Sequence, residues 1–223
     1  MRLFIIGFVF IIFSCKNKES LDSSITSDNI EIEETVLESV ASAYGIENWS
    51  RIEEINFSFV VNPGDNESVR TWKWLPKTGD VTLFQNENEI TYNQNNVKEN
   101  QKQYDRLFVN DSFWLTFPFH MVWDDIEFSV EENMISPIEA VECDKIIVKY
   151  PTEGGYTPGD RYDVYINDKF HIIEWSYYPN GADKPRLTNT FEDLSEFNGI
   201  KTNLVFRNPE LGFQLVLRDV SFK

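Results

Sequence analysis

The segment from Lys145 to Tyr178 contains three strand-like runs joined by two turns, and it constrains the fold more than any other part of the chain. Alternate residues are apolar along 145–150 and again along 161–167. This period of two is typical of a strand with one face on a core. Glycine and proline interrupt the first connection, and Asn167-Asp168-Lys169 is a tight-turn candidate for the second. The segment therefore predicts an antiparallel meander.

Several strands carry apolar residues on both faces. Ile172 alternates with Ile173, and Leu215 alternates with Val216, so both sides of the sheet need cover. We therefore predict a mainly β (α+β) fold. It is a strongly curved antiparallel sheet or an unclosed β-barrel of about ten strands, with one N-terminal helix packed on its concave face. A β-sandwich would cover both faces equally well.

One helix is predicted ahead of the strands. Apolar residues recur there at helical spacing, at Ile32, Val36, Val40 and Tyr44. Ser27 or Asp28 can cap its start, and Gly45 is placed to end it. The helix is either a lid over an apolar cavity or a plug that completes the core.

The segment from Phe113 to Trp123 is too apolar for a surface loop. Pro118 interrupts any central strand because proline cannot donate to a sheet ladder. We therefore predict two short edge strands around a kink, with the large aromatic side chains packed inside.

The N-terminus resembles that of bacterial lipoproteins. Residues 1–14 hold one arginine and an apolar run of eleven, which is short for a membrane span and typical of a cleaved signal peptide. Cys15 follows a small serine, as in a lipobox, so the resemblance implies an acylated cysteine that anchors the protein to a membrane. An ordinary signal peptide with an accidental cysteine is the alternative. Residues 15–28 then form the lipidated cysteine and a flexible tether, and 29–223 form a single domain.

The charge of the chain limits its partners. Twenty basic residues stand against 37 acidic ones, a formal net charge of −17 at pH 7. Such a chain is repelled by nucleic-acid phosphates, so we expect no nucleic-acid partner. Cys143 is the only other cysteine, so lipidation of Cys15 leaves no internal disulfide and the fold depends on its packed core.

Two short motifs carry a second resemblance. The segments TPGDRYDVYIND (157–168) and FNGIKT (197–202) are similar to those of Bacteroidetes lipoproteins of unassigned function. That group resembles the Lol-type superfamily of lipoprotein carriers and receptors in Gram-negative envelopes. The resemblance implies an unclosed β-barrel whose helical lid encloses an apolar cavity. It also implies an outer-membrane lipoprotein, which we expect to face the periplasm, with surface exposure as the other orientation.

No arrangement of residues predicts catalysis. His120 and His171 are the only histidines, and neither has a cysteine or carboxylate at metal-ligand spacing. No serine stands in a nucleophile elbow, and no glycine-rich phosphate loop follows a strand. We therefore expect no enzyme, no metal and no cofactor.

Large aromatic side chains are the remaining functional signal. They can line a cavity for an acyl chain, stack on sugar rings, or simply fill the core. The candidate ligand-binding residues are Trp72, Trp74, Trp114, Trp123, Trp175 and Tyr162. The sequence favours a membrane-anchored protein that binds a lipid or other apolar ligand without catalysis. A β-sandwich glycan-binding module or a structural surface lipoprotein is the alternative.

Overall fold

The computed structural model describes residues 36–62, 64, 67–85, 88–153 and 158–223. Two α-helices lie in this part of the chain, α1 over 36–43 and α2 over Lys102–Trp123. A short 3-10 helix, Ile46–Arg51, follows α1. The strands are β1 (Ile55–Val61), β2 (Ser68–Leu75), β3 (Asp80–Gln85), β4 (Asn88–Asn93), β5 (Glu127–Ile135), β6 (Glu142–Lys149), β7 (Arg161–Ile166), β8 (Ile172–Tyr178), β9 (Leu187–Thr190), β10 (Glu192–Phe197), β11 (Ile200–Asn208) and β12 (Phe213–Phe222).

The described strands form two antiparallel sheets. One has seven strands in the order β10-β11-β12-β1-β2-β3-β4, and the other has five in the order β5-β6-β7-β8-β9. Side chains bridge the sheets where β9 meets β11: the Asn208 amide donates to the Thr188 carbonyl, and the Arg207 N–H donates to the Thr190 hydroxyl at 3.2 Å. The predicted unclosed antiparallel architecture is confirmed, with twelve strands in the described part instead of about ten.

The predicted meander is present as β6, β7 and β8. Val148 pairs with Tyr162, which pairs with Tyr177, and these residues belong to the inward face. On the opposite face Asp163 pairs with Ser176. The predicted turn at Asn167 is also confirmed, because its side-chain oxygen accepts from the backbone N–H of residues 169 and 171 at 3.0 Å each. Residues 154–157 of the first connection lie outside the described residues.

The predicted N-terminal helix is present where the chain is described. Its buried residues Leu37, Val40 and Ala41 belong to the core, while the proposed caps Ser27 and Asp28 lie outside the described residues. Gly45 follows with a φ of +85°, and a Cβ there would lie 2.0 Å from the Gly199 carbonyl oxygen. Only glycine fits this position, so the helix ends here as predicted.

Tyr44, just after α1, connects the two sheets. Its hydroxyl donates to Asn203 Oδ1 on β11 at 2.8 Å and accepts from the Ile172 N–H on β8 at 3.1 Å. The side chain is fully buried, so both polar contacts are shielded from water. The end of α1 therefore fixes the position of one sheet relative to the other.

The prediction for Phe113–Trp123 is wrong: this segment forms the second half of helix α2. Pro118 lies inside the helix, and it lacks the N–H that would bond to a carbonyl one turn earlier. The Leu115 carbonyl in that turn accepts a hydrogen bond from the buried Thr202 hydroxyl at 3.0 Å. The carbonyl that Pro118 leaves without an intrahelical donor is that of Trp114, so the contact at Leu115 joins the helix to β11 beside the proline and does not replace the missing bond.

Helix α2 lies between the two sheets. Phe108 packs edge-on against Trp72 and Trp74 of the seven-stranded sheet, with ring centroids 5.3 and 5.4 Å apart. Phe117 packs edge-on against Trp175 of the five-stranded sheet at 4.7 Å. A helix buried on opposite sides is apolar around most of its circumference. This position explains why the segment lacks the single apolar stripe of a surface helix.

Candidate functional site

Three of the six predicted ligand-binding residues meet at one pocket. Trp114 on α2, Tyr162 on β7 and Trp175 on β8 line a space of about 290 Å³ between the helix and the five-stranded sheet. This volume is at the small end of the range for ligand pockets. The pocket is the candidate site in the described part of the chain.

The helical wall of the pocket follows one face of α2. Its members recur at intervals of three and four residues, the spacing of neighbours on a helix surface, and are Arg106, Val109, Asn110, Phe113 and Trp114. The strand wall comes from the inward faces of β7, β8 and β9 and the loop before β7, and consists of Asp160, Tyr162, Trp175, Tyr177 and Leu187.

Ring contacts hold the aromatic walls in place. Trp114 meets Trp175 edge-on at 4.7 Å and Phe206 at 5.1 Å. The Trp175 indole N–H also donates to Asn189 Oδ1, and the ring is 2% exposed. Tyr162 stacks on Tyr177 at 5.1 Å. Because these rings already have partners, the space between them is preformed.

Asp160 supplies a negative charge at the strand wall. Its two carboxylate oxygens accept from the Tyr177 hydroxyl at 3.0 Å and from the Asn180 N–H at 2.8 Å. Burial, and then the hydrogen bond to Asp160, raises the pKa of Tyr177 to about 12. Burial likewise raises the pKa of Tyr162 well above its ordinary value. Both hydroxyls are therefore neutral at physiological pH.

The other three predicted tryptophans lie away from this pocket. Trp72 is fully buried on the opposite side of α2, where its indole N–H donates to Asp111 at 2.8 Å. Trp74 and Trp123 both contact Trp49, at 5.6 and 4.8 Å between ring centroids. In this second cluster Trp123 is 41% exposed. Sequence reasoning placed no emphasis on Trp49, since a lone tryptophan near a helix end carries no pattern.

Asp111 fixes the side of α2 that faces the seven-stranded sheet. Its carboxylate accepts two hydrogen bonds from Arg70, at 2.6 and 2.7 Å, in a bidentate pair. Burial raises the pKa of Asp111, although Arg70 acts in the opposite direction. The pair is a structural clamp and does not reach the pocket.

A polar chain along α2 has the atom order of a catalytic relay. Thr116 Oγ1 lies 3.3 Å from His120 Nε2, and His120 Nδ1 lies 2.9 Å from Asp124 Oδ2. Asp124 also accepts from the Tyr150 hydroxyl at 2.9 Å. The Thr116 hydroxyl, however, donates to the Ser112 carbonyl at 2.7 Å and is 1% exposed. It neither gives its proton to the histidine nor meets a substrate, so the chain of contacts is structural.

The remaining predictions concern the anchor, membrane helices and metals. Cys15 and residues 1–14 lie outside the described residues. No helix in the described ranges has both the length and the apolar character needed to cross a membrane. Within the same ranges, no three metal-ligating side chains of His, Cys, Asp or Glu gather at one point. Cys143 is buried there as a free thiol, and burial, followed by the charges of Glu174 and Asp144, raises its pKa.

The chain is similar in fold to solved structures of low sequence identity. A crystal structure of a DUF1329 family protein from Desulfovibrio piger matches with a TM-score of 0.50 and 12% identity, over 87% of this chain and 93% of that chain. A putative outer membrane lipoprotein-sorting protein domain from Vibrio parahaemolyticus matches with a TM-score of 0.46 and 12% identity, over 86% and 93%. The first likeness shows a shared fold. No family model and no curated protein matches the chain.

Proposed function

We propose that this chain is a lipid-anchored envelope protein that binds an apolar ligand in the pocket beside α2 and catalyses no reaction. The pocket is the observation that carries the proposal. Its aromatic lining residues Trp114, Tyr162 and Trp175 are held by their own ring contacts. Preformed aromatic walls around unfilled space favour an apolar molecule, because its entry removes apolar surface from water without reorganising the protein.

Native mass spectrometry of the full chain released from lipid nanodiscs tests the ligand. We expect a bound apolar molecule that dissociates on activation. Val109 is half-buried and lines the pocket, so Val109→Trp should fill the space and abolish the bound mass. The matched control is Val122→Trp, on the same helix at an exposed position, which should retain it. A ligand-free wild type that takes up no added fatty acid would contradict the proposal, and so would a ligand retained by Val109→Trp.

The anchor rests on the N-terminal sequence. An acyl group on Cys15 would hold the domain at a membrane through the polar tether of residues 16–28, and we place it on the outer membrane facing the periplasm. Labelled palmitate should enter the wild type and fail to enter Cys15→Ala, which should also leave the membrane fraction. The control Cys143→Ala should still be labelled, because this buried thiol lies in the folded domain. Labelling of Cys15→Ala would contradict the anchor.

A further inference from the structure

The residues that line the pocket are more exposed at one end than at the other. Arg106 and Asn110 at its outer end are exposed, whereas the apolar helical residues Val109, Phe113 and Trp114 are half-buried. At its inner end Tyr162 and Trp175 of the strand wall are almost completely buried, at 5% and 2% exposure, whereas Tyr177 and Leu187 of the same wall are half-buried. A ligand with one polar and one apolar end fits this gradient, with its chain against the aromatic rings and its head near Arg106.

No carboxylate in the described part of the chain pairs with Arg106. Among the described residues no hydrogen bond to its side chain and no ion pair within 4 Å is present, whereas Arg70, Arg207 and Arg218 each pair with an acid. Glu99 already pairs with Lys102, with 2.7 Å between the carboxylate oxygen and the ammonium nitrogen. The contact with Lys102 is the largest cause that lowers the pKa of Glu99, and the charge of Arg106 is the smallest. Arg51 and Arg186 also lack an ion pair among the described residues, but neither lines this pocket, so Arg106 is the arginine available at its entrance.

The other charged lining residue is Asp160, and it is occupied. Both of its oxygens accept hydrogen bonds from the protein, and it is 7% exposed. Asn110 is also engaged, since its amide donates to Asp111 Oδ1 at 3.0 Å. The charge that is open to a ligand is therefore positive.

We propose that the pocket selects amphiphiles with an anionic headgroup and that Arg106 binds that headgroup. This inference rests on the proposed function and names its ligand class. A guanidinium presents donors in a planar fork that pairs bidentately with carboxylate or phosphate. The two headgroups share this chemistry, and the ligands chosen for the test separate them.

Isothermal titration calorimetry at pH 8 tests the proposal, with the full chain in nanodiscs and empty nanodiscs as the blank. The ligands are octanoate, octyl phosphate and octanol, which share one chain length and differ in headgroup. We expect an anionic ligand to bind the wild type about tenfold more tightly than octanol, the size of one charge-assisted contact. Arg106→Gln should abolish this preference, and Arg106→Lys should keep part of it. Lys169→Gln, which removes one positive charge at an exposed turn outside the pocket, should leave it unchanged.

The results of this titration test the role of Arg106 separately from the binding of an apolar ligand by the pocket. Equal binding of octanol and the anionic ligands to the wild type, or a preference that survives Arg106→Gln, would overturn the role of Arg106 while the pocket stands. Failure of all three ligands to bind would overturn the proposed function itself. A higher affinity for octyl phosphate than for octanoate would support the inference with phosphate as the headgroup, and the reverse order would support it with carboxylate. Circular dichroism of each variant confirms that the fold is kept.

Discussion

The two long sides of helix α2 are packed differently although both are rich in aromatic residues. Toward the seven-stranded sheet, Phe108 and Leu115 are 1% exposed and the Arg70–Asp111 pair joins helix to strand. Toward the five-stranded sheet, Phe113 and Trp114 are half-buried beside a space of about 290 Å³. Aromatic content alone therefore does not decide whether an interior is filled. The Arg70–Asp111 pair joins α2 closely to the seven-stranded sheet. On the side of the five-stranded sheet, aromatic rings pack on each other and leave space between them.

Removing the clamp should have the largest effect. Asp111→Ala leaves Arg70, whose side chain is 15% exposed, without its partner. We expect a loss of about 3–5 kcal/mol in the free energy of unfolding, as for other buried pairs that lose one member. Urea denaturation measures it. The control Asp125→Ala, at an exposed position, should change the free energy by less than about 0.5 kcal/mol. Equal losses in the two variants would contradict the difference between the two sides.

A larger side chain should destabilise the protein more on the side of α2 that faces the seven-stranded sheet than on the side that faces the pocket. Ser112 is 8% exposed and lies one turn after Phe108, so Ser112→Phe should overpack the sealed side at a cost of about 1–3 kcal/mol. Val109→Phe adds its ring to the pocket instead and should cost less than about 1 kcal/mol. Thermal denaturation of both variants checks the order. A larger loss for Val109→Phe would mean that the pocket side is already full.

The prediction of the fold from sequence was most successful where apolar residues alternate along a strand, and least successful where apolar residues surround a helix. Alternation along Tyr162 and Val164 correctly predicted the face that now lines the pocket and core. The second half of helix α2 gave no such signal, because the two sheets cover it on opposite sides and Pro118 favoured two short strands around a kink. Arg106 and Asn110, which line the pocket, lie on that helix, whereas the lining residue Asp160 lies before β7. Three aromatic lining residues of the candidate pocket, Trp114, Tyr162 and Trp175, were therefore among those predicted from sequence, whereas Arg106 and Asn110 were not.

A smaller effect is expected from Glu54, a half-buried carboxylate next to β1 that pairs with two lysines. Hydrogen bonds from Asn56 first, then Lys73 and Lys223, lower the pKa of Glu54 to about 2. The folded state therefore favours the ionised form, and the resulting stability is present above pH 4.5 and is lost as the pH falls toward 2.

Glu54→Gln should accordingly lower the melting temperature slightly at pH 7, and the difference from the wild type should shrink as the pH falls from 4.5 toward 2. Differential scanning calorimetry across this range measures it. The control is Glu196→Gln, at an exposed position on β10. A difference for Glu54→Gln that is constant with pH would show that its carboxylate does not contribute through its charge.

The most direct measurement is a crystal structure of the protein soaked with octanoate brominated at its terminal carbon. We predict an anomalous bromine peak among Phe113, Tyr162 and Trp175, with the carboxylate toward Arg106. Electron density in which side chains fill this space, with no bromine peak beside α2, would contradict it.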